Sequence, residues 1–233
     1  MFRVEETHWW YRAQHRLIFQ ALETELPDWR DRRIADIGCG TGAILQQLGN
    51  PEKNVGIDLA PEAISFCRQR GLNNVQQGDI HALPFPDASF DAVISSSVLY
   101  HEWVRDVEGA VREMHRILRP GGVLVVNVPA FPFLHSPHDE AVMTARRFRK
   151  REIRQLLEKQ NFKIRRLTYW TTFLFPLAVA ARTLGGSKMG RDFEAKGESF
   201  GQRALGRIMA LELSVLRKTS LPFGVALLAV ARK

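Results

Sequence analysis

Cysteine is scarce in this sequence, and its scarcity excludes two classes of site. Cys39 and Cys67 are the only two cysteines, too few for a disulfide framework and without the paired spacing of a zinc site. The first residues, MFRVEETHWWYRAQHRL, mix acidic and basic side chains ahead of any apolar run, so the pattern of a signal or transit peptide is not visible. These features favour the reducing cytoplasm as the location of the protein.

Long apolar runs are missing as well. No segment reaches the roughly 18 consecutive apolar residues that a membrane span requires, and there is no internal repeat or low-complexity tract. We therefore expect a protein without integral membrane segments. Hydrophobic residues make up 45% and charged residues 25% of the 233, which is ordinary for a globular protein and enough for one domain with a substantial core.

The charge is unbalanced but does not decide the function. A formal net charge of +8 is compatible with nucleic acid, acidic lipid headgroups or an anionic substrate. The basic residues are mostly dispersed, and the densest run, RRFRKRE at 146–152, begins a helix-like pattern. We interpret this run as a solvated helix face, with an anion-binding patch as the alternative.

The sequence does contain a regular alternation of strands and helices. Pro61 stands where a helix would begin, and Pro120, Gly121 and Gly122 are expected to stop a helix that runs to Leu118 and to release the apolar strand VLVVNV. Nearly continuous apolar strands between helices predict an α/β fold with a doubly wound parallel sheet. The first five predicted strands are 33–37, 54–58, 74–77, 90–95 and 123–128.

The pattern changes after Pro129. We predict a loop with His135 and His138, a helix over 150–160, a strand over 162–171 and a last strand within PFGVALLAVARK. The expected organisation is a single domain over 1–233, with an N-terminal helical lid over 1–30 and a helical cap inserted over 172–220, before the last strand. The apolar helices of this insertion suggest cap or dimer packing, with contact to a lipid-like substrate as the alternative.

The stretch RRIADIGCGTGAIL carries the chemistry. Glycines between a strand and a helix let a ligand approach the backbone, and the dinucleotide fingerprint spaces them as G-x-G-x-x-G. Here the spacing is G-x-G-x-G, at Gly38, Gly40 and Gly42, with Asp36 at the end of the first strand. Asp58 ends the second strand, where an acidic side chain can accept both hydroxyls of a ribose. The third glycine is misplaced for a pyrophosphate loop, which disfavours a nucleotide-dependent oxidoreductase.

Four ordered motifs extend this signal. ADIGCGTG, VGIDLA, QQGDIHALPFPDASFDAVISSSVLYH and MHRILRPGGVLVV together resemble the class I S-adenosylmethionine-dependent methyltransferases, over about residues 33–128. The flanking segments resemble bacterial small-molecule and glycan-pathway members. The resemblance implies a Rossmann-like sheet of seven strands in the order 3-2-1-4-5-7-6, with the last strand antiparallel. It also implies S-adenosyl-L-methionine as the cofactor.

The resemblance implies a role for individual residues. Gly38, Gly40 and Gly42 would lie against the methionine part of the cofactor, and Asp36 would be bridged to its ammonium group. Asp58 would bind the ribose. The remaining contacts would come from Leu59 on the adenine, from Asp79 and Ile80 at its amino group, and from Ser96 near the sulfonium. Cys39, between the glycines, is interpreted as a packing residue because nothing nearby resembles an activating base.

Two further groups are candidates for the acceptor side. His101, just after the fourth strand, is the predicted catalytic residue, because a histidine can take a proton from a hydroxyl or amine near neutral pH. Packing or substrate contact is the alternative. His8, Trp9, Trp10 and Tyr11 form an aromatic cluster in which at least one ring, assigned to Tyr11, would close over the cofactor. The alternative is that Trp9 and Trp10 pin the first helix to the sheet.

These observations predict a methyltransferase acting on an oxygen or nitrogen of a small molecule. The alternative is a lipid or isoprenoid-type acceptor, including methylation at carbon, and a further alternative is a non-catalytic cofactor-binding regulator. Nucleic acid is disfavoured as a partner because SSSVLYHE departs from the Asn/Asp-Pro-Pro-aromatic pattern of enzymes that methylate its amino groups. HSPHDE at 135–140 has donors for a metal but no supporting distant cluster, so we predict no metal site.

Overall fold

The computed structural model describes residues 5–183 and 200–233, and it forms one seven-stranded sheet with helices on both faces. The strands are Ile34–Ile37 (β1), Val55–Asp58 (β2), Val75–Gln77 (β3), Phe90–Ser96 (β4), Leu118–Pro129 (β5), Lys163–Trp170 (β6) and Ala226–Arg232 (β7). The helices are Trp9–Glu25 (α1), Ala43–Leu48 (α2), Pro61–Gln69 (α3), Val107–Ile117 (α4), Pro137–Ala141 (α5), Lys150–Lys159 (α6), Phe175–Thr183 (α7) and Phe200–Leu216 (α8).

The sheet has the order β3-β2-β1-β4-β5-β7-β6, and this confirms the predicted topology. β1 to β5 pair in parallel, whereas β7 is antiparallel to both of its neighbours. In such a sheet the carboxyl ends of β1, β2 and β4 meet at one edge, and the strand order reverses between β1 and β4. The fold therefore brings the glycine turn, the end of β2 and the end of β4 together.

Two parts of the predicted secondary structure are wrong, the start of the fifth strand and the loop that follows it. α4 ends at Ile117, and β5 begins at Leu118 rather than after Gly122, because Leu118 pairs with Phe90 across a bulge in β4. The segment predicted as a loop with His135 and His138 contains a 3₁₀ turn, Pro132–Leu134, and the short helix α5. The reason is a capping arrangement in which Asp139 accepts hydrogen bonds from the backbone N–H and hydroxyl of Ser136.

Each face of the sheet carries its own hydrophobic core. On one face, Val93, Leu124 and Leu227 pack with α4 and α6. On the other face α1 and α8 pack against each other and the sheet, and the buried side chains include Leu17, Met209 and Leu213 from the helices. Most of the buried residues are aliphatic or aromatic, and their burial is the main favourable contribution to the folding free energy.

The segment between β6 and β7 is helical where it is described. α7 follows β6, and the predicted insertion over 172–220 includes residues 184–199, which lie outside the described residues. α8 covers part of the sheet face beside α1. Its role as a cap or dimer contact, like that of residues 1–30 as a lid, stays a prediction. Among the described helices, none is long and apolar enough to cross a membrane.

Candidate functional site

The glycine turn that follows β1 is tied directly to the end of β2. The backbone N–H groups of Gly38 and Cys39 both donate to the carbonyl of Ile57, at 2.8 and 3.0 Å. Gly38, Gly40 and Gly42 all have positive φ angles, of 79°, 54° and 83°, in the region that favours glycine. This backbone leaves the strand, turns sharply and enters α2, for which Gly42 is the N-cap.

The three glycines differ in what surrounds them. A methyl group on Gly38 would overlap Val98, and one on Gly42 would lie 2.9 Å from the Cys67 sulfur. A methyl group on Gly40 would meet no atom within 4 Å. Gly38 and Gly42 therefore allow close packing inside the protein, whereas Gly40 faces open space at the carboxyl edge, where a ligand can approach its backbone.

Asp58 connects the end of β2 to this turn. Its Oδ2 accepts a hydrogen bond from the N–H of Gly40 at 2.8 Å, and its Oδ1 accepts one from Ala60 at 3.0 Å. Each carboxylate oxygen has two acceptor positions, so both can accept a second hydrogen bond from a ligand hydroxyl. The side chain is only half-buried and is therefore accessible to a ligand, and the ribose contact stays a prediction.

Asp36 lies beneath the turn and is the most perturbed acid in the site. It is 1% exposed, and its Oδ2 has no hydrogen-bond partner among the described residues. Burial raises the pKa of Asp36 to about 8, and the negative charges of Asp58 and Glu5 act in the same direction. A buried carboxyl oxygen without a partner is costly, and a bound cation would relieve that cost.

The adenine end of the predicted site has both apolar and polar groups. Leu59 is 45% exposed, unusual for a leucine, and Ile80 packs at the rim of the core. Asp79 accepts a hydrogen bond from the backbone N–H of His81 at 2.9 Å and contacts its Nδ1 at 2.6 Å. The hydrogen bond from that backbone N–H holds the pKa of Asp79 below its usual value, so Asp79 remains a charged acceptor.

The floor below the predicted sulfonium position is formed by the end of β4. The hydroxyl oxygens of Ser95 and Ser96 are buried and have no partner among the described residues. Ser97 has a positive φ of 62°, and its hydroxyl accepts a hydrogen bond from Gln14 of α1 at 3.0 Å. The predicted contact residue Ser96 therefore has a free hydroxyl beside the point where α1 meets the strand.

The aromatic cluster at the start of α1 divides into two parts. Trp9 is buried, and Trp10 stacks on Trp170 of β6 with ring centroids 5.4 Å apart, so these two rings fix α1 to the sheet. Tyr11 makes edge contacts with the rings of Trp10 and His8. Burial raises the pKa of Tyr11, and so does the charge of Glu5. The proposed lid role of Tyr11 remains a prediction.

His101 lies in the turn between β4 and α4. Its Nδ1 is 3.3 Å from the carbonyl of Met143, to which it can only donate, and its ring stacks on Trp103 at 4.5 Å. Burial lowers the pKa of His101, an effect that outweighs its hydrogen bonds to backbone carbonyls and the charge of Asp58. The ring is therefore neutral at pH 7, which is the form that can accept a proton.

A group that sequence reasoning missed is the network around Glu5. Glu5 is 6% exposed and accepts a hydrogen bond from the hydroxyl of Thr41 in the glycine turn. Arg70, after α3, donates to the Thr41 carbonyl at 2.7 Å. These residues are 36 and 29 positions apart in the sequence, so no local pattern signals the contact.

The site fits the cofactor implied by the sequence motifs. The partnerless oxygen of buried Asp36, the open face of Gly40 and the accessible Asp58 offer a cation site, backbone access and diol acceptors in one place. Among residues 5–183 and 200–233, no group of three His, Cys, Asp or Glu side chains is arranged so that it could hold a metal ion. Within HSPHDE, Asp139 forms a buried ion pair with Arg147 at 2.8 Å.

Comparison with known proteins gives the same family. Residues 35–126 match the family described as methyltransferase domain. The chain is 29% identical to a probable S-adenosylmethionine-dependent methyltransferase of Mycolicibacterium smegmatis, over 68% of this chain and 61% of that protein. It is 42% identical to a fatty-acid O-methyltransferase of the same organism, over 41% of this chain and 36% of that protein. It thus spans less than two thirds of either relative.

A solved structure agrees with the fold. The S-adenosylmethionine-dependent methyltransferase from Mesorhizobium loti aligns with a TM-score of 0.61 and 20% identity, covering 93% of this chain and 98% of that one. At this identity the likeness concerns the fold, whereas the family match rests on the sequence. Residues 35–126 thus match a methyltransferase domain, in agreement with the S-adenosylmethionine-dependent family that the sequence motifs resemble.

Proposed function

We propose that this protein transfers a methyl group from S-adenosyl-L-methionine to an oxygen or nitrogen of a small-molecule acceptor. The observation that carries the proposal is the buried carboxyl of Asp36, which has a partnerless oxygen and directly precedes the turn in which Gly40 faces open space. When bound, the cofactor supplies an electrophilic methyl group on its sulfonium. What the chain must add is a fixed geometry, a water-excluding surface and, for a hydroxyl or protonated amine, a base.

The residues divide this work between them. Asp36 binds the ammonium group of the cofactor, and Asp58 binds its ribose hydroxyls. Between these two groups, the cofactor can approach the backbone of Gly40. Asp79, Leu59 and Ile80 support the adenine end. His101, neutral at pH 7, accepts the proton of the acceptor. We also propose that the protein is located in the cytoplasm.

Binding and turnover test the proposal separately. Calorimetry should detect binding of S-adenosylmethionine and no tight binding of NAD. Tight binding of NAD without binding of S-adenosylmethionine would reject the methyltransferase assignment. A panel of phenols, amines, sugars and carboxylic acids, assayed with methyl-labelled cofactor, then reports the acceptor. Cofactor binding without product across a wide panel would favour the non-catalytic regulator.

A second candidate is methylation of a lipid or isoprenoid-type acceptor, and a partly exposed aromatic cluster favours it. The cluster lies beyond the carboxyl ends of β5 and β6 and consists of Phe131, Phe133, Tyr169, Phe175 and Phe223. Phe131 stacks on Tyr169 at 4.8 Å, while Phe133 and Phe223 remain 63% and 42% exposed. Exposed rings next to a substrate edge suit an aliphatic chain.

The similarity to a fatty-acid O-methyltransferase supports the same candidate. Medium- and long-chain fatty acids and isoprenoid alcohols should therefore be included in the acceptor panel. Phe133→Ser should raise KM for an aliphatic acceptor and leave the affinity for the cofactor unchanged. If this variant and the unmodified protein turn over small polar acceptors equally well, the cluster binds the aliphatic chain of the acceptor and takes no part in methyl transfer itself.

A further inference from the structure

Glu5 is a buried acid that the proposed reaction does not use. It precedes α1, and its carboxylate accepts a hydrogen bond of 2.5 Å from the Thr41 hydroxyl, inside the glycine turn. Arg70 holds the same turn from the other side, because its Nε donates to the Thr41 carbonyl at 2.7 Å and its Nη2 lies 3.7 Å from Glu5. Thr41 is thus held through both its hydroxyl and its carbonyl.

The charge of Glu5 affects ionisable groups inside the site as well as the turn that Glu5 contacts. It is one of the charges that raise the pKa of Asp36, and it also raises the pKa of Tyr11. Electrostatic effects of this kind fall with distance and with solvent screening, and Glu5, which is 6% exposed and bonded to Thr41 in the turn, is poorly screened there. Glu5 and Asp58 are thus both bonded to the glycine turn that Asp36 precedes, so three carboxylates are found at this turn.

The burial of Glu5 makes an accidental surface contact a poor explanation. Burial raises the pKa of Glu5, against the hydrogen bond from Thr41 and the charge of Arg70. A protein that needed only to fasten its N-terminal segment could do so with a neutral side chain at a lower desolvation cost. Glu6, one residue on, has an exposed side chain that forms an ion pair with the buried Arg70 and already provides an anchor.

We propose that Glu5 is a positioning residue whose negative charge makes the site favour the sulfonium cofactor over its neutral thioether product, S-adenosylhomocysteine. The inference rests on the proposed function, since it presupposes that this cofactor binds at the glycine turn. Both compounds carry the same ammonium and carboxylate groups and differ in one methyl group and one positive charge. The ratio of their affinities therefore isolates the effect of charge.

The test is calorimetric binding of both compounds at a pH above the pKa of Asp36, where the carboxylates are ionised. Glu5→Gln keeps an oxygen that can accept from Thr41 and removes the charge, so the preference for the sulfonium compound should fall about fivefold. Glu6→Gln is the matched control, because it removes the exposed carboxylate that pairs with the same arginine, Arg70. The affinity ratio of this variant should equal that of the unmodified protein. An unchanged ratio for Glu5→Gln would overturn the inference.

Two further variants separate charge from structure. Thr41→Val removes the hydrogen bond but keeps the charge, so both affinities should weaken equally. Glu5→Asp keeps the charge on a shorter side chain and should hold a ratio close to the original, and a ratio as low as that of Glu5→Gln would contradict the role of charge. If Glu5→Gln melts at a lower temperature without ligand and cannot be measured, Glu5→Asp against Glu5→Ser makes the same comparison.

The proposed function fails in a different way from this inference. If the unmodified protein binds neither compound, the assignment of the cofactor is wrong and the inference falls with it. If it binds both but the ratios of all variants agree, the cofactor assignment stands and only the role of Glu5 is rejected.

Discussion

The carboxylate of Asp58 accepts a hydrogen bond of 2.8 Å from the backbone N–H of Gly40, across the gap between β2 and the glycine turn. One side chain therefore shapes the turn and remains available to a ligand. Glycine at position 40 can hold its positive φ without help, but the carboxylate selects this orientation of the N–H.

Replacing Asp58 should separate these two roles. Asp58→Ala removes a charged hydrogen-bond acceptor and should weaken S-adenosylmethionine binding by about 10- to 100-fold. Asp58→Asn keeps one oxygen and should lie between this variant and the unmodified protein. Calorimetry measures both, with melting temperature as the control for folding. Undiminished affinity in Asp58→Ala would contradict the assigned ribose contact.

Cofactor binding should release a proton through Asp36. Because burial raises the pKa of Asp36 to about 8, its carboxyl is neutral at pH 7 in the free protein. A bound cation favours the ionised form, so affinity should rise with pH up to about 8, with nearly one proton released per ligand at pH 7. Calorimetry in buffers with different ionisation enthalpies counts this proton. Asp36→Asn should bind more weakly and release none.

The same carboxyl should affect the stability of the free protein. An acid whose folded pKa lies above its ordinary value of 3.8 binds more protons when folded than when unfolded, so stability falls as the pH rises from about 4 to 8. Asp36→Asn lacks this group and should lose less stability over that range. Urea unfolding at several pH values gives the comparison. Parallel curves for the two proteins would show that Asp36 is not perturbed.

The glycines of the turn should respond differently to alanine. Gly38→Ala places a methyl group against Val98 at a positive φ, so it should lower the melting temperature markedly. Gly40→Ala adds a methyl group in open space and carries mainly the backbone cost of about 1–2 kcal/mol, but it obstructs the ligand's approach. Cofactor affinity should therefore fall more than stability does. A larger stability loss in Gly40→Ala would reverse the assignment.

His101 should set the acidic limb of the activity profile. Burial lowers its pKa, so kcat/KM should hold as the pH falls to 6.5 and decline only below that value. His101→Asn should reduce kcat for a hydroxyl acceptor by about 100-fold or more and leave cofactor affinity unchanged. Activity with an acceptor that is already ionised provides the control, since it needs no base. Equal losses with both acceptors would point to packing instead.

The buried ion pair between Asp139 and Arg147 should carry much of the stability of the segment after β5. Its side chains are 3% and 4% exposed, so Asp139→Asn leaves a buried charge without its partner and should cost about 3–5 kcal/mol of unfolding free energy. Glu158→Gln breaks the exposed pair with Arg154 and should cost less than about 1 kcal/mol. Denaturant unfolding of both variants tests this contrast.

Local patterns in the sequence were enough to predict most of the fold. The glycine turn, Pro61 at the start of α3 and the apolar strands each carry their signal within a few residues. The start of β5 was missed because it depends on pairing of Leu118 with Phe90 and of Gly121 with the backbone of Lys233, which lie far away in the chain. α5 does have a local signal, because Ser136, Pro137 and Asp139 form a pattern that is typical of a capped helix N-terminus.

For the site, the sequence placed the carboxylates but not their electrostatics. That Asp36 and Asp58 meet at one edge follows from the fold. That Asp36 is fully buried, and that Glu5 contacts the same turn, depends on how distant parts of the chain pack together. Such packing has no periodicity and no fixed spacing, so it cannot be recognised without coordinates.

The packing of α1 against α8 has a consequence for synthesis. α1 leaves the ribosome well before α8, which covers its apolar face, and before β7, which completes the sheet. That face stays open to water, and to chaperones, until β7 has also been made. A chain that stops before α8 should therefore aggregate rather than form a smaller folded core.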